Sequence, residues 1–303
     1  MSRPRVVAAG ADRAVVRLAS GEYLAIDTNS VDAINYLVGR PVEPRISFVF
    51  RCFLRPDAVV LDIGANFGLY TAITAAAIRT SGRLYAFEPN PHTFGFLLRT
   101  LYANGVINNP NITLVNMAVG SSVGRADLHF IDQNLAVASL TDPRLLGAEI
   151  VEGWGMKLHK VEVATTTIDD YLASELVVDL VKIDVEGHEP HVLYGMERTI
   201  ARSPAIRIIV EYIEERLQHT GNVADFADYV RGLGLEICLI RKDWRLQFCR
   251  RGAPLPRDCY LLLTPAPEAD IRLAARRRLA PRRALKRLSQ RVAVGIGELG
   301  HRL

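Results

Sequence analysis

From residue 59 onward, short and predominantly apolar segments alternate with longer amphipathic ones, and nothing else in the chain restricts its fold so strongly. The apolar segments fall at 59–63, 84–87, 112–115, 178–183, 206–210, 235–240 and 260–263. Helical patterns fall at about 69–79, 92–104, 189–202 and 224–233. A strand with no polar face must be covered on both sides, and intervening helices supply that cover when the strands run parallel. Only loop residues, 241–258, separate the last two segments, which can therefore pair antiparallel. The expectation is an α/β, Rossmann-like fold: a seven-stranded, mostly parallel sheet with an antiparallel last strand and helices on both faces.

Three regions follow. Residues 1–56 form a lead-in, with two short strands around Ser20-Gly21 and a helix at 42–54. Residues 57–268 form the alternating domain, and 269–303 a basic tail. The stretch 117–167 breaks the alternation and reads as an inserted hairpin plus a long loop, the usual place for substrate specificity.

The sharpest motif is Val59-Val-Leu-Asp-Ile-Gly-Ala-Asn-Phe-Gly-Leu-Tyr70. A buried strand ends near Asp62, and a turn from Gly64 through Ala65 and Asn66 to Gly68 delivers the chain into a helix. Such a turn lets backbone approach a ligand at the carboxyl end of a parallel sheet. The G-x-x-x-G spacing lacks the G-x-G-x-x-G of dinucleotide binding, which argues against a nicotinamide-dependent oxidoreductase. Backbone N–H groups beside the acid Asp62 suit a zwitterion, the amino-acid end of S-adenosylmethionine. One unit further on, Phe87-Glu-Pro-Asn-Pro91 places Glu88 at the second strand end, where an acid accepts the two hydroxyls of a ribose; a helix-capping role is the competing reading. Asn116 and Met117, just past the third strand, are placed to touch the adenine.

The third motif is Val181-Lys-Ile-Asp-Val-Glu-Gly-His-Glu189. Period-2 alternation puts Lys182, Asp184 and Glu186 on one face, with His188 close behind. Desolvated charges are costly unless they are paired or put to use, so the cluster reads as a reaction site, against the plainer reading of a solvated strand end.

Together these stretches resemble the FkbM family of methyltransferases. The resemblance runs from about residue 59 to 211 and takes in Ala118-Val-Gly120, Gly124, Thr167-Ile-Asp-Asp170 and Val192-Leu-Tyr-Gly195. It implies the class I methyltransferase fold, S-adenosylmethionine as donor, and O-methylation of sugars, polyketides or other natural products. On that reading Asp184, or else His188, is the general base, Glu186 orients His188 or binds the acceptor, and Lys182 completes the catalytic group. Ser139, Leu140 and Glu43 are candidates for the acceptor side. No metal is expected.

Charge bounds the alternatives. The chain is +4 overall, but residues 271–303 carry ten Lys/Arg against one acid, leaving a mildly acidic body. The tail has an apolar edge at Leu285, Leu288 and Val292, which suits peripheral contact with an anionic membrane. A nucleic-acid methyltransferase gripping its substrate through the tail, or a non-catalytic module keeping only the fold, are the rivals. The acidic body counts against the first, and the intact Asp62, Gly64, Gly68 and Glu88 against the second. No secretory segment or membrane-length apolar run is seen, so a cytoplasmic protein is expected. The four cysteines show no metal-ligand spacing and read as inert thiols.

Overall fold

The computed structural model describes residues 3–131, 134–140, 157–218 and 223–265, and the basic tail lies outside them. In chain order the elements are β1 (Arg5–Ala9), β2 (Arg13–Arg17), β3 (Tyr23–Asp27), α1 (Ala33–Leu37), α2 (Pro44–Phe53), β4 (Val59–Ile63), α3 (Leu69–Ala75), β5 (Arg83–Phe87), α4 (Pro91–Ala103), β6 (Ile112–Val115), β7 (Ala118–Val119), β8 (Gly124–Ile131), β9 (Asn134–Ser139), β10 (Leu158–Thr166), α5 (Ile168–Tyr171), β11 (Leu180–Ile183), α6 (Glu189–Tyr194), α7 (Glu197–Arg202), β12 (Arg207–Ile213), α8 (Glu214–Leu217), α9 (Val223–Gly232), β13 (Glu236–Ile240), β14 (Leu246–Phe248) and β15 (Asp258–Thr264).

The main sheet has the order β14-β13-β15-β12-β11-β4-β5-β6. Strands β12, β11, β4, β5 and β6 pair in parallel. Strand β15 runs antiparallel between β12 and β13. The sheet thus has eight strands, not the expected seven. The extra one, β14, pairs antiparallel with the edge of β13 and is only three residues long, with no apolar run to announce it.

Alternate residues along each strand feed two different cores. Val60, Leu84, Leu180, Ile209 and Leu262 pack with Ile46, Val49 and Phe50 of α2 and with Tyr70 and Ile73 of α3. Leu61, Ile63, Val181, Ile183, Ile208 and Val210 pack on the other side with Val192 and Leu193 of α6 and Phe226 and Val230 of α9. Helix α2 presents Ile46, Val49 and Phe50 at the i, i+3, i+4 spacing of one face. Each such side chain contributes on the order of 1.5–3 kcal/mol by leaving water.

Two smaller sheets flank this one. Strands β1, β2 and β3 form an antiparallel sheet from the lead-in, one strand more than expected; the added β1, Arg5-Val-Val-Ala-Ala9, is exposed along its whole length and shows no in–out alternation. Strands β7, β10, β8 and β9 form the second, which includes the expected hairpin. The helical pattern at 189–202 is two helices, α6 and α7. The first ends at Gly195, where a Cβ would lie 2.0 Å from the Gly120 carbonyl oxygen, so the close approach of the two backbones requires glycine. No helix among the described residues is long and apolar enough to cross a membrane.

Candidate active site

The two-core pattern determines where charge collects. Val60, Leu180 and Ile209 face α2 and α3, and two residues further along each strand the same alternation brings up Asp62, Lys182 and Glu211. Register aligns them: Lys182 lies opposite Asp62 on one side and Ile209 on the other, and Glu211 lies opposite Tyr260 of β15. A cavity of about 310 Å³ opens over these strand ends, within the range that holds small-molecule ligands.

At one end of the cavity are Gly64, Ala65, Asn66, Glu88 and Met117. The turn after β4 is fastened to β5 by the Gly64 and Ala65 N–H groups, which donate to the Phe87 carbonyl at 3.0 and 2.9 Å. Gly64 has φ +80° and Asn66 φ +51°, both in the left-handed region. Glu88 is 5% exposed; its carboxylate accepts from the backbone N–H of Asn66 at 2.8 Å and of Asn90 at 2.9 Å. The buried Asn66 Oδ1 has no hydrogen-bond partner among the described residues. Backbone cradle, buried acid and unanswered acceptor fit an adenosyl ligand bearing ribose hydroxyls and an ammonium group.

Three residues assigned to the cofactor lie elsewhere. The Asp62 carboxylate accepts the Thr71 hydroxyl at 2.6 Å beneath the turn, and burial pushes its pKa up to about 6. Gly68 starts α3, where a Cβ would meet Leu97 Cδ1 at 2.6 Å, so it is a packing glycine. Asn116 donates its side-chain N–H to the carbonyls of Glu88 and Pro89 at 2.8 and 3.0 Å, shaping the loop behind the carboxylate.

Burial pushes the Glu88 pKa up to about 7 against the pull of its two N–H donors. The folded chain thus keeps a proton that the unfolded chain releases near its ordinary value of 4.5. The associated stability is fully present below about 4.5 and lost as pH climbs through about 7, a change of roughly 3 kcal/mol at most. Ligand-free protein is expected to melt at lower temperature at pH 8 than at pH 5, and Glu88→Gln to flatten that dependence in thermal melts.

The other end of the cavity holds Lys182, Asp184, Glu186, His188, Glu211, Tyr260, Tyr70 and Glu43. Lys182 is 1% exposed; its Nζ donates to Asp184 Oδ2 at 2.6 Å and sits 5.2 Å from the ring centroids of both Tyr70 and Tyr260. Both phenols donate to Glu43: Tyr70 to Oε2 at 2.6 Å and Tyr260 to Oε1. Arg216 of α8 pairs with Glu186 and, at 3.0 Å, with Glu211. The carboxylates of Asp184, Glu186 and Glu211 lie within 4.8 Å of one another, the only grouping among the described residues with spacing that would admit a metal ion. Burial and Asp184 together push the Glu211 pKa up to about 7.

Glu186 therefore turns to Arg216, not to His188 as its expected orienting role requires. His188 stacks on His191, ring centroids 4.2 Å apart, and its buried Nδ1 has no hydrogen-bond partner among the described residues. Burial holds the His188 pKa down, at about 4, so the ring is neutral near pH 7. Buried Glu189 accepts from the N–H groups of Val185 and Gly187 at 3.1 and 3.2 Å and so holds the loop that carries Asp184 and Glu186. Of the acceptor-side candidates, Glu43 and Leu140 line the cavity, and Ser139 donates to the Glu186 carbonyl at 2.8 Å.

A family model for the methyltransferase FkbM domain matches residues 62–236. A hexuronic acid methyltransferase of Haloferax volcanii is 28% identical over 153 residues, covering 48% of this chain and 52% of that enzyme. The match thus spans about half the length of the Haloferax protein. The 31-O-demethyl-FK506 methyltransferase of Streptomyces tacrolimicus is 29% identical over 216 residues, 63% of this chain and 79% of that one. A 2-O-methyltransferase of Sinorhizobium fredii is 26% identical over 172 residues, covering 54% and 66%. Among solved structures, a methyltransferase from Methylobacillus flagellatus aligns with TM-score 0.44 at 17% identity, covering 73% of this chain and 48% of that one.

Proposed function

Since the chain belongs to the FkbM family of S-adenosylmethionine-dependent methyltransferases, we propose that it methylates a hydroxyl oxygen of a sugar, glycan or other small natural product. The observation that carries this reading is the Asp184 carboxylate, clamped by buried Lys182 and facing the same cavity as the Glu88 cradle. Glu88, Gly64, Ala65, Asn66 and Met117 would hold the donor, which when bound supplies an electrophilic methyl group on a sulfonium.

The chain's own residues serve the acceptor. Asp184 accepts the proton of the attacking hydroxyl, a step typically worth about 10²–10⁴-fold. Lys182 fixes that carboxylate in one orientation, because its ammonium has no competing contact with water. Confinement of the two reactants in one cavity supplies on the order of 7–11 kcal/mol more when their reacting atoms are aligned. The named activities of the Haloferax and Sinorhizobium relatives support a small-molecule acceptor. Peripheral membrane contact through the basic tail is a separate proposal, tested by liposome sedimentation of full-length protein against a chain ending near Asp270.

The test uses methyl-labelled S-adenosylmethionine with a panel of glycosides, polyols, peptides and RNA. The expected product is a methyl ether stable to mild alkali. Alkali-labile label, or transfer to nucleic acid alone, would overturn the assignment. In parallel, calorimetry with S-adenosylhomocysteine is expected to show that Glu88→Ala weakens binding on the order of 10²-fold, because two hydrogen bonds to a charged group are removed.

A further inference from the structure

The cavity is strongly acidic. Asp32, Glu43, Glu88, Asp184, Glu186 and Glu211 line it, against one lysine and no arginine among its described lining residues. That lysine, Lys182, is buried and committed to Asp184. Arg216, outside the lining, is committed to Glu186 and Glu211. His188 is neutral near pH 7. The methyl donor brings a net single positive charge, and the acceptor end offers the carboxyl groups of Glu43, Asp184, Glu186 and Glu211; burial raises the pKa of Glu186 and Glu211, so these meet an acceptor as a wall of carboxyl oxygens with no uncommitted cation among the described lining residues. An acceptor carboxylate or phosphate placed there would lose its hydration and find carboxyl groups in place of a cation to pair with, at a cost that lowers affinity steeply.

Hydroxyl groups meet the opposite reception, and Glu43 is arranged to receive them. It stands at the start of α2 with φ 41° and ψ 48°, a left-handed conformation unusual for glutamate. Three of the four described non-glycine residues with positive φ, Glu43, Asn66 and Glu186, line this one cavity. The phenols of Tyr70 and Tyr260 fix the two carboxylate oxygens of Glu43. Each oxygen keeps acceptor capacity for a further donor. Glu43 and Asp32 precede the matched residues 62–236, so this wall of the cavity belongs to the lead-in and not to the shared domain.

We propose that the acceptor is a neutral sugar unit, and that Glu43 selects it by accepting its hydroxyls while the acidic wall turns away uronates and phosphorylated sugars. This rests on the reading that the chain methylates a hydroxyl.

Full-length protein is assayed at pH 7.5 with labelled S-adenosylmethionine and two matched panels: methyl glucoside, mannoside and galactoside, and the corresponding uronides and 6-phosphates. The expected kcat/KM is on the order of 10²-fold higher for the best neutral glycoside than for its charged counterparts. Glu43→Gln is expected to raise KM for that glycoside about tenfold with a smaller change in kcat, and to narrow the discrimination, with S-adenosylhomocysteine binding unchanged. Tyr260→Phe, which keeps the carboxylate but frees one oxygen, is expected to shift KM the same way and covers the case in which Glu43→Gln does not fold. Equal or better use of the uronides or phosphates overturns the inference and leaves O-methylation standing, as does an unchanged KM in both variants. Transfer to none of these sugars, with S-adenosylhomocysteine still bound, removes the sugar reading and this inference with it.

Discussion

Replacing Gly64 with alanine is expected to abolish S-adenosylhomocysteine binding and methyl transfer together, and to destabilise the fold by about 4 kcal/mol or more. A Cβ on residue 64 would lie 1.8 Å from the Asp184 carbonyl oxygen and 2.8 Å from its carbonyl carbon. Both partners are backbone, so no side-chain rotation relieves the overlap. The ends of β4 and β11 would have to separate, breaking the Asp184 N–H bond to the Ile63 carbonyl at 3.0 Å and loosening the turn over Glu88. The left-handed φ of +80° adds roughly 1–2 kcal/mol of its own. Gly105→Ala separates the two contributions: φ there is +70°, and the new methyl group would meet no atom within 4 Å, so only the conformational cost applies. A Gly64→Ala protein that melts like Gly105→Ala and still binds ligand in calorimetry would show that the strand ends are not held as tightly as described.

Asp184→Asn carries the second large effect, of a different kind. Turnover is expected to fall about 10²–10⁴-fold, with cofactor binding nearly unchanged, because the amide cannot take a proton from the acceptor. Stability is expected to suffer as well, since Lys182 is left buried without its counter-charge, a loss on the order of 3–5 kcal/mol. The double variant Lys182→Met/Asp184→Asn is expected to regain much of the stability and none of the activity. Denaturant titration and single-turnover measurements check the two halves independently. Recovery of turnover in the double variant would show that the Asp184 carboxylate is dispensable and that the unpaired Lys182 caused the loss in the single variant.

The parts of the site read most directly from sequence are those where a polar residue interrupts an apolar strand within a compact motif. Gly64, Ala65, Asn66, Glu88, Met117 and the charged group Lys182, Asp184, Glu186 and His188 are all identifiable that way, and all of these line the cavity. Proximity in sequence misleads for Asp62, Gly68 and Asn116, which belong to the same motifs yet serve the turn, the helix packing and the loop behind them. Glu211 and Tyr260 escape a reading of the sequence for the converse reason. Each sits in an ordinary strand with no local signature, and only register brings them opposite one another beside Asp184. That register follows from the alternation between two cores, so Ile209 to Glu211 and Leu262 to Tyr260 repeat the step from Leu180 to Lys182. The unexpected eighth strand has a plainer cause: three residues at a sheet edge bury too little to leave a hydrophobic pattern.

The contact between Tyr260 and Glu43 joins residues 217 positions apart. It ties α2 to the last described strand, beside the buried Lys182. Closing so long a loop is among the slowest contributions to folding, because its entropy is lost before the contact rewards it. The donor cradle spans β4, β5 and the end of β6, with its Gly64 turn closed against Asp184 at the end of β11. The donor cradle is complete once β4, β5, β6 and β11 are in place, whereas the wall around Glu43 closes only when both ends of the described fold have come together.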